Sequence, residues 1–385
     1  MTLSHSERLA EHRIAEIRTY KIRTRWPRLV GRNANLEEHG YGRELLAREV
    51  VTDRGAAGWG SCRRLPPGQT PPLHGRRLCD VFDPEVGVIA DDAMPLDFAL
   101  HDLAGVILDV PVYRMLGAIG GNAVPVYDAM IYMDDVTPAY HPGGLEVVLD
   151  HCRQDYELGY RSFKIKIGRG RRWMPENQGL QRDIKVTRAI REHFPDVLLL
   201  VDGNNGFTCE GFLSYFQAVA NCQLYSIEEP FHENRDDLRR LRDQIERLSP
   251  ATKVVEGEVK PDVEFLLELG AEGLVDILNL DIEGYGFTRW RKLARRAIER
   301  GLLLSPHTFD LKLKTYYAAH LLAGVGGVSP VEGVIDETEG VDTSLYSVRQ
   351  GLLDIPSAPG FGMRLIWGRR YDEHGLDDGG HKLTM

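Results

Sequence analysis

The sequence predicts an α/β protein in which a parallel barrel follows a smaller α+β unit, and three observations support this fold class. Eight short apolar runs alternate with helical patterns between Val124 and Val334, which is typical of a parallel barrel. Acidic residues or histidine follow or end six of these runs, at positions 202, 228, 258, 281, 307 and 332. The chain has 385 residues, more than the roughly 250 to 300 at which single cores stop growing, so a second unit is expected.

The N-terminal unit, residues 1–123, is predicted to be a small antiparallel sheet followed by helices. Strand-like runs occur at IAEIRTYKI and ELLAREVVTD, with a polar, glycine-bearing loop from Trp26 to Gly42 between them and GAAGWG after them. After the proline-rich PPGQTPP, apolar residues at helical spacing around Leu96, Leu100 and Leu103 predict a helix. A sheet followed by helices is an α+β arrangement.

Residues 124–350 are predicted to form the barrel. The predicted strands are VPVYDAM, RSFKIKIG, VLLLVDG, QLYSIEEP, TKVVEGE, VDILNLD, GLLLSPH and VSPVEGV, with helical patterns such as LEVVLDHCRQDYELG and TRWRKLARRAIERG between them. In such barrels the C-terminal ends of the strands share one face, so residues far apart in sequence converge there. The segment 351–385 is rich in Gly, Pro and charge, and its composition does not decide whether it packs on the first unit or stays mobile.

Composition excludes several functional classes. With 47 basic against 57 acidic residues the net charge is −10, which is the wrong sign for a nucleic-acid binder. No apolar run approaches the roughly 20 residues needed to span a bilayer, and the first residues do not resemble a signal peptide, so a cytoplasmic protein without a membrane partner is expected. The five cysteines are widely spaced without a CxxC pair, which argues against disulfides and a thiolate metal site.

Three acidic positions end successive predicted strands. Asp202 ends LLLVD, Glu228 and Glu229 lie in YSIEEP, and Glu258 ends KVVEGE. Carboxylates that face one another repel unless a hard cation lies among them, and Mg²⁺ prefers oxygen ligands and leaves positions for substrate. Any one of these acids could instead be a helix N-cap or a surface ion-pair partner, and the spacing does not decide between Glu228 and Glu229.

Lys164 and Lys166 in FKIKIG are two residues apart, so on a strand both side chains point the same way. They lie either on a solvated edge or inside the barrel, and the helices expected outside the barrel favour the inside. There, mutual repulsion and partial desolvation are expected to lower a lysine pKa toward the range of a general base.

A second acid/base group is predicted at His307, which ends LLLSPH, with Asp281 from the preceding strand beside it. A neighbouring carboxylate would fix the imidazole tautomer and raise its basicity, whereas the alternative is a core histidine bonded to backbone. Glu332 in SPVEGV, if buried and protonated, could donate a hydrogen bond to a developing enediolate.

Two loops are expected to shape specificity. The segment Gly168–Pro175 (GRGRRWMP) would lie over the mouth with Arg169, Arg171 and Arg172, and the segment Arg25–Gly42 would reach it from the N-terminal unit. Their cationic character suggests an anionic, hydroxylated substrate, although solvated loops or subunit contacts would look the same. The candidate substrate-binding residues are Asn204, Arg25, Arg171 and Trp173.

The ordered set of KxK, three strand-end acids, an Asp–His pair and a final Glu resembles the enolase superfamily, and within it the mandelate racemase subgroup, over about Ile14 to Gly360. The resemblance implies a modified (β/α)₇β TIM-type barrel with an α+β capping domain that the C-terminal segment completes. It also implies the following roles: Asp202, Glu228 and Glu258 as Mg²⁺ ligands, Lys166 as the base on one face, His307 with Asp281 on the other, and Lys164 and Glu332 at the substrate carboxylate. Asn204 resembles the family's Asn at that place, where relatives of the galactonate dehydratase type carry His, which argues against a galactonate-type substrate.

The predicted function is Mg²⁺-dependent dehydration of an acid sugar, an aldonate or an aldarate, to a 2-keto-3-deoxy acid. The same residues would also permit a racemase or epimerase of a 2-hydroxy acid, and a non-catalytic member of the family is the third hypothesis. The expected partner is a small carboxylate substrate, and we expect a homo-oligomer.

Overall fold

The computed structural model describes residues 4–62, 71–371 and 377–382. Within these residues no helix is long and apolar enough to cross a membrane. All five cysteines are free thiols, as their spacing predicts.

The N-terminal part is an antiparallel sheet covered by helices. Helix α1 spans His5–Ala10, and the sheet strands are β1 Ile14–Val30, β2 Gly40–Thr52 and β3 Ala57–Cys62. A short hairpin follows, β4 Phe82–Asp83 with β5 Gly87–Val88, and then helices α2 Asp97–Leu108 and α3 Val112–Met115. Helix α2 packs closely on β3 because Gly58 has no side chain: a Cβ there would lie 2.1 Å from the backbone nitrogen of Leu103.

The predicted loop from Trp26 to Gly42 is wrong at its start, because β1 continues to Val30. Trp26, Arg28 and Val30 are buried along one face of this strand, and the Arg28 guanidinium donates 2.8 Å to Asp155 Oδ1. A buried ion pair and a buried indole hold the extended conformation that the polar sequence did not indicate. The connection itself is residues 31–39.

The α/β barrel prediction is confirmed, with eight parallel strands and seven helical connections. The strands are β6 Ala123–Ile131, β7 Ser162–Lys166, β8 Leu198–Asp202, β9 Ser226–Glu228, β10 Lys253–Glu256, β11 Ile277–Leu278, β12 Leu303–Leu304 and β13 Val331–Gly333. The connecting helices are α4 Gly144–Glu157, α5 Glu176–His193, α6 Cys209–Val219, α7 Arg235–Leu248, α8 Val263–Ala271, the pair α9 Ile282–Tyr285 and α10 Phe287–Ile298, and α11 Lys312–Val325. Strands β6 to β12 pair in chain order, β13 pairs with β6, and a bridge from Leu304 to Val328 closes the ring.

The register of the barrel strands brings three candidate site residues together. Lys166 pairs with Asp202 across β7 and β8, and Asp202 pairs with Glu228 across β8 and β9. Partners in a parallel sheet point to the same face, so these three side chains lie side by side at the C-terminal rim.

The C-terminal residues return to both parts of the molecule. The remaining strands are β14 Glu337–Thr338, β15 Val341–Asp342, β16 Ser347–Arg349, β17 Leu352–Asp354, β18 Arg364–Leu365, β19 Trp367–Tyr371 and β20 Asp377–Lys382. Strand β17 pairs with barrel strand β6, whereas β14 and β19 pair with β1 of the N-terminal sheet. Because strands of the final segment contribute to both sheets, the strand pairing does not define domain limits at 123 and 350. Both limits stay predictions.

Candidate active site

Three carboxylates converge at the C-terminal rim of the barrel. Asp202 ends β8, Glu228 ends β9, and Glu258 lies two residues past β10. One oxygen of each lies within 4.8 Å of the others. These are hard oxygen donors, and the buried Glu258 Oε2 has no hydrogen-bond partner among the described residues. The acidic triad, Asp202, Glu228 and Glu258, therefore fits a small divalent cation.

Of the two adjacent glutamates that the sequence left open, Glu228 is the one in the acidic triad. Burial raises the pKa of Glu228 to about 8, and the neighbouring acids add to it, against the opposing effect of Lys164. Glu229 turns aside with a φ of 38° and accepts from the Val259 amide at 3.1 Å. Burial and the triad raise the pKa of Glu229 to about 9.

Lys164 lies inside the barrel and joins the acids on opposite sides of the mouth. Its ammonium donates to Glu228 at 2.9 and 3.0 Å and to Glu332 at 2.7 Å. The side chain is 1 % exposed. An ammonium this deeply buried persists only because carboxylates surround it.

Lys166 also points inward, and its ammonium bonds directly to Asp202. The expectation of a lowered lysine pKa is wrong for this arrangement. Burial lowers the pKa of Lys166, but the contact with Asp202 outweighs burial and the repulsion from Lys164, so the net shift is upward. Without a competing cation, the carboxylate keeps the ammonium protonated.

His307 and Asp281 form the predicted pair on the far side of the mouth. His307 Nδ1 lies 3.1 Å from Asp281 Oδ2, and Nε2 lies 3.5 Å from Glu258 Oε1. Burial lowers the pKa of His307, but Glu258, Glu332 and Asp281 together raise it to about 10. Because a carboxylate can only accept, Nδ1 is the donor to Asp281 and Nε2 faces the site.

Glu332 on β13 is ionised, so the expected protonated form is wrong for this arrangement. Burial raises the pKa of Glu332, but Lys164 and His307 offset that effect and lower it to about 2. Its Oε2 also accepts from the Thr308 amide at 2.5 Å. Asn204 lies beside the triad: its backbone N–H donates to Asp202 Oδ1 at 2.8 Å, and its side-chain Nδ2 donates to Asp202 Oδ2 at 3.4 Å. The buried Oδ1 of Asn204 is unpartnered among the described residues.

The predicted cationic loops do not present their arginines to the acids. Arg25 is exposed on β1 and opposite in direction to its buried neighbour Trp26, since successive strand residues alternate. Arg171 is exposed and lines a cavity of about 440 Å³ between the N-terminal ends of α5 and α6, and the lining of this cavity does not include the acidic triad. Arg169 is fully buried between Asp135 and Asp183, and Arg172 pairs with Glu37 at 3.5 Å.

Trp173 joins the two predicted loops to each other. Its indole nitrogen donates 2.7 Å to the Asn33 carbonyl, and the Arg32 guanidinium lies 4.3 Å from the ring centre. The described side-chain contacts of Trp173 are with Arg32 and Asn33 of the N-terminal part and with its neighbour Arg172, whose guanidinium lies 4.6 Å from the ring centre. A role in contacting substrate stays a prediction for Trp173, as it does for Arg25 and Arg171.

Two features near the site were not predicted from the sequence. An aromatic wall of Trp26, His39, Tyr132 and Phe309 stands next to Lys166, whose ammonium is 5.4 Å from the Tyr132 ring centre. No spacing pattern connects these four residues. The second feature is Lys314, which bonds to Asp281. It lies in FDLKLKT before YYAAHLLAG, and no pattern in that segment distinguishes it from Lys312.

Comparison with known proteins gives consistent matches. Residues 147–368 match the family model described as Enolase C-terminal domain-like. The structure is similar to galacturonate dehydratase from Geobacillus sp. in complex with D-galacturonate and 5-keto-4-deoxy-D-galacturonate, with a TM-score of 0.86, 30 % identity, and coverage of 92 % of this chain and 95 % of that one. A mutant of that enzyme in complex with Mg gives a TM-score of 0.87 and 28 % identity, with coverage of 92 % and 93 %.

Curated relatives catalyse more than one reaction. Hydrophobic dipeptide epimerase from Enterococcus faecalis is 24 % identical over 302 residues, covering 76 % of this chain and 78 % of that protein. Arabinonate dehydratase from Saccharolobus solfataricus is 25 % identical over 276 residues, covering 69 % and 68 %.

Proposed function

The chain belongs to the Enolase C-terminal domain-like family of the enolase superfamily, as the sequence resemblance predicted, and on that premise we propose that it is a Mg²⁺-dependent dehydratase of an acid sugar. One observation carries the proposal: Lys166 and His307 lie on strand ends separated by the acidic triad, in a fold that matches galacturonate dehydratase over 92 % of the chain. The cationic loops no longer support the choice of an acid-sugar substrate, because Arg169 forms an ion pair with Asp135 and Arg172 forms one with Glu37. An acid-sugar substrate is now supported by the similarity to galacturonate dehydratase. That similarity adds uronates to the candidate substrates, which were aldonates and aldarates from the sequence.

The acidic triad would hold Mg²⁺. When bound there, Mg²⁺ would supply positive charge beside the substrate carboxylate and offset the Asp202 charge that raises the pKa of Lys166. Magnesium accompanies a mutant of the Geobacillus galacturonate dehydratase, a structure that resembles this one closely.

Each step of the proposed reaction is assigned to a residue of this chain. Lys164, whose ammonium is held by Glu332 at 2.7 Å, orients the substrate carboxylate. A neutral Lys166 removes the proton from the carbon next to that carboxylate, leaving an enediolate. His307, protonated on Nε2, donates to the hydroxyl on the β carbon, and the C–O bond breaks to release water. The resulting enol ketonises to a keto-deoxy acid, so the overall change is loss of one water without any oxidant.

A second candidate is an epimerase. Lys166 and His307 could each exchange a proton with opposite faces of the same carbon, and the similarity to the Enterococcus faecalis dipeptide epimerase supports this reading. An epimerase inverts the carbon and produces no keto acid.

The test is an assay of purified protein with MgCl₂ in D₂O. The panel is D-galacturonate, D-arabinonate, D-xylonate, a set of aldarates, and hydrophobic dipeptides. Keto acid formed from a sugar acid, and abolished by EDTA, supports the dehydratase; inversion without keto acid supports the epimerase. Absence of deuterium uptake across the panel would contradict both and favour the non-catalytic hypothesis.

A variant tests the division of roles. His307→Asn removes the proton donor, so dehydration should fall about 10² to 10⁴-fold, while Lys166 still exchanges the α-proton for deuterium. Loss of both activities together, with Mg²⁺ binding intact, would contradict the separate roles of Lys166 and His307.

A further inference from the structure

Lys314 on α11 is a buried ammonium outside the set of groups that would touch substrate. The residue is 7 % exposed. Its ammonium lies 3.1 Å from Asp281 Oδ2, 3.1 Å from Asp310 Oδ1 and 3.9 Å from Glu283 Oε2, and it donates 3.3 Å to the Phe309 carbonyl. Burial of a lysine is costly without such partners, so its position is tightly specified by these four groups.

These partners come from the two loops that build the Asp281–His307 pair. Asp281 and Glu283 follow β11, whereas Phe309 and Asp310 follow His307 directly after β12. Lys314 therefore holds the carboxylate partner of His307 and the chain segment that carries His307 at the same time. Asp310 has a φ of 90°, an unfavourable conformation for a residue other than glycine, and its bond to Lys314 helps to maintain it.

The Asp281 carboxylate is fixed from three directions. Oδ2 accepts from both His307 Nδ1 and Lys314 at 3.1 Å, and Oδ1 accepts from the Gly284 amide at the start of α9. Without the ammonium, Asp281, Glu283 and the partly exposed Asp310 would lose the cation that they share. Repulsion between Asp281 and the neighbouring acids would then be unopposed at this position and would displace Asp281 from the plane in which it orients the imidazole.

We infer that Lys314 is a positioning residue for the His307 side of the site: it holds Asp281 and the 308–311 loop so that His307 Nε2 faces the substrate. This inference rests on the proposed dehydratase function for its kinetic consequence, but not for its structural one. Lys314 contacts no member of the acidic triad among its described interactions, so it should leave Mg²⁺ binding unchanged.

The experiment compares Lys314→Met with two other variants. Lys314→Arg keeps a cationic donor, and Lys312→Met removes a nearby lysine whose ammonium bonds instead to the Asp336 carbonyl at 3.0 Å. The substrate-free readout is the downfield proton resonance of His307 Nδ1, assigned by its loss in His307→Asn. Mg²⁺ affinity is measured by calorimetry on the same samples.

Lys314→Met should broaden or remove the His307 Nδ1 resonance while Mg²⁺ affinity is kept. Lys314→Arg should restore the resonance, and Lys312→Met should leave it as in the parent. With an acid sugar found by the panel, kcat of Lys314→Met should fall about 10- to 100-fold, the usual cost of losing a group that orients a site residue, with KM unchanged.

If Lys314→Met is poorly folded, Lys314→Met with Glu283→Gln removes a buried acid together with its cation and should show the same loss of the resonance. An unchanged His307 resonance in either folded variant would overturn the inference, even if the parent is an active dehydratase. A lost resonance in a protein that dehydrates no acid sugar would support the inference and contradict the proposed function.

Discussion

Two buried charge clusters contain residues that are close in the chain, since Lys166 of one and Arg169 of the other are three residues apart. The clusters differ in how well their charges are paired. The rim cluster comprises Lys164, Lys166, His307, Glu332 and the acidic triad. The Arg169 cluster is Arg169 with Asp135 and Asp183. In the Arg169 cluster the guanidinium bonds to Asp135 at 2.6, 3.0 and 3.1 Å and to Asp183 at 2.7 Å. Asp183 also accepts the backbone amides of Gly168 and Arg169.

The two clusters differ in how completely their charges are satisfied. In the Arg169 cluster, directed bonds from a planar guanidinium meet both carboxylates, an arrangement suited to stability. In the rim cluster four carboxylates share two ammonium groups and an imidazole, Glu228 has a pKa raised to about 8, and Glu258 Oε2 is unpartnered among the described residues. Buried polar groups left unsatisfied at one rim indicate a site that requires a ligand.

The largest expected effect comes from neutralising Glu258. Glu258→Gln should lower activity about a thousandfold or more, because losing the charge stabilisation of a bound metal costs several kcal/mol of barrier and each 1.36 kcal/mol is tenfold. Its thermal stability should be kept or increased, since a repelling carboxylate is removed. Calorimetric titration with Mg²⁺ measures the effect on metal binding, and thermal unfolding measures the effect on stability. A destabilised variant that still binds Mg²⁺ would mean that Glu258 serves stability and not metal binding, the reverse of the expected difference between the two clusters.

Arg169→Met should destabilise the fold instead. Removing the guanidinium leaves the buried Asp183 without this cation and Asp135 with Arg182, which lies 3.6 Å away, and loss of a buried partner costs about 3 to 5 kcal/mol in free energy of unfolding. The exposed Arg172 is the matched control, and Arg172→Met should change stability by about 0.5 kcal/mol or less. Urea unfolding measures both; equal effects would mean that the Arg169 cluster contributes no more than a surface pair.

Asp102 on α2 shows how a buried carboxylate behaves with backbone donors as its hydrogen-bond partners. It accepts from the Trp59 amide at 2.9 Å and the Phe361 amide at 2.7 Å. Burial raises the pKa of Asp102 from 3.8 to about 7, against the opposing effect of these two bonds. A carboxyl whose folded pKa is raised favours the folded state below that pKa, so its contribution should fall as pH rises from about 4 to about 7 and stay constant above.

This pH dependence is measured by difference. Asp102→Asn removes the titration, so the stability of the parent relative to the variant should decline by up to about 4 kcal/mol across that pH window, at 1.36 kcal/mol per unit. A difference that is independent of pH, or that grows with pH, would mean that the fold does not raise the pKa of Asp102.

The smallest expected effect distinguishes a structural from a substrate-contacting Trp173. Trp173→Phe keeps an aromatic ring beside Arg32 but loses the donor to Asn33, so stability should fall by about 0.5 to 1.5 kcal/mol with kcat and KM nearly unchanged. A large rise in KM without loss of stability would support the substrate contact expected from the sequence.

Much of the site was predictable because it lies on regular strands. The run LLLVD places its terminal acid at a rim by strand geometry, and the spacing of Lys164 and Lys166 places both on one face, so local periodicity was enough to bring these groups together. Arg169 was placed wrongly at the mouth because its partners come from Asp135 and from Asp183 on α5, and a loop's composition does not reveal whether a distant acid will bury it.

The order of strands, the identity of the acids at their ends and the family were determined by the sequence itself, since a repeating pattern of apolar runs and polar ends is a local property. Which of Glu228 and Glu229 faces the barrel, the protonation of Lys166 and Glu332, and the role of Lys314 were decided only by tertiary structure. Each of these depends on the distance to a charge supplied by another strand or helix, and Coulomb interactions between distant segments leave no mark in the local pattern.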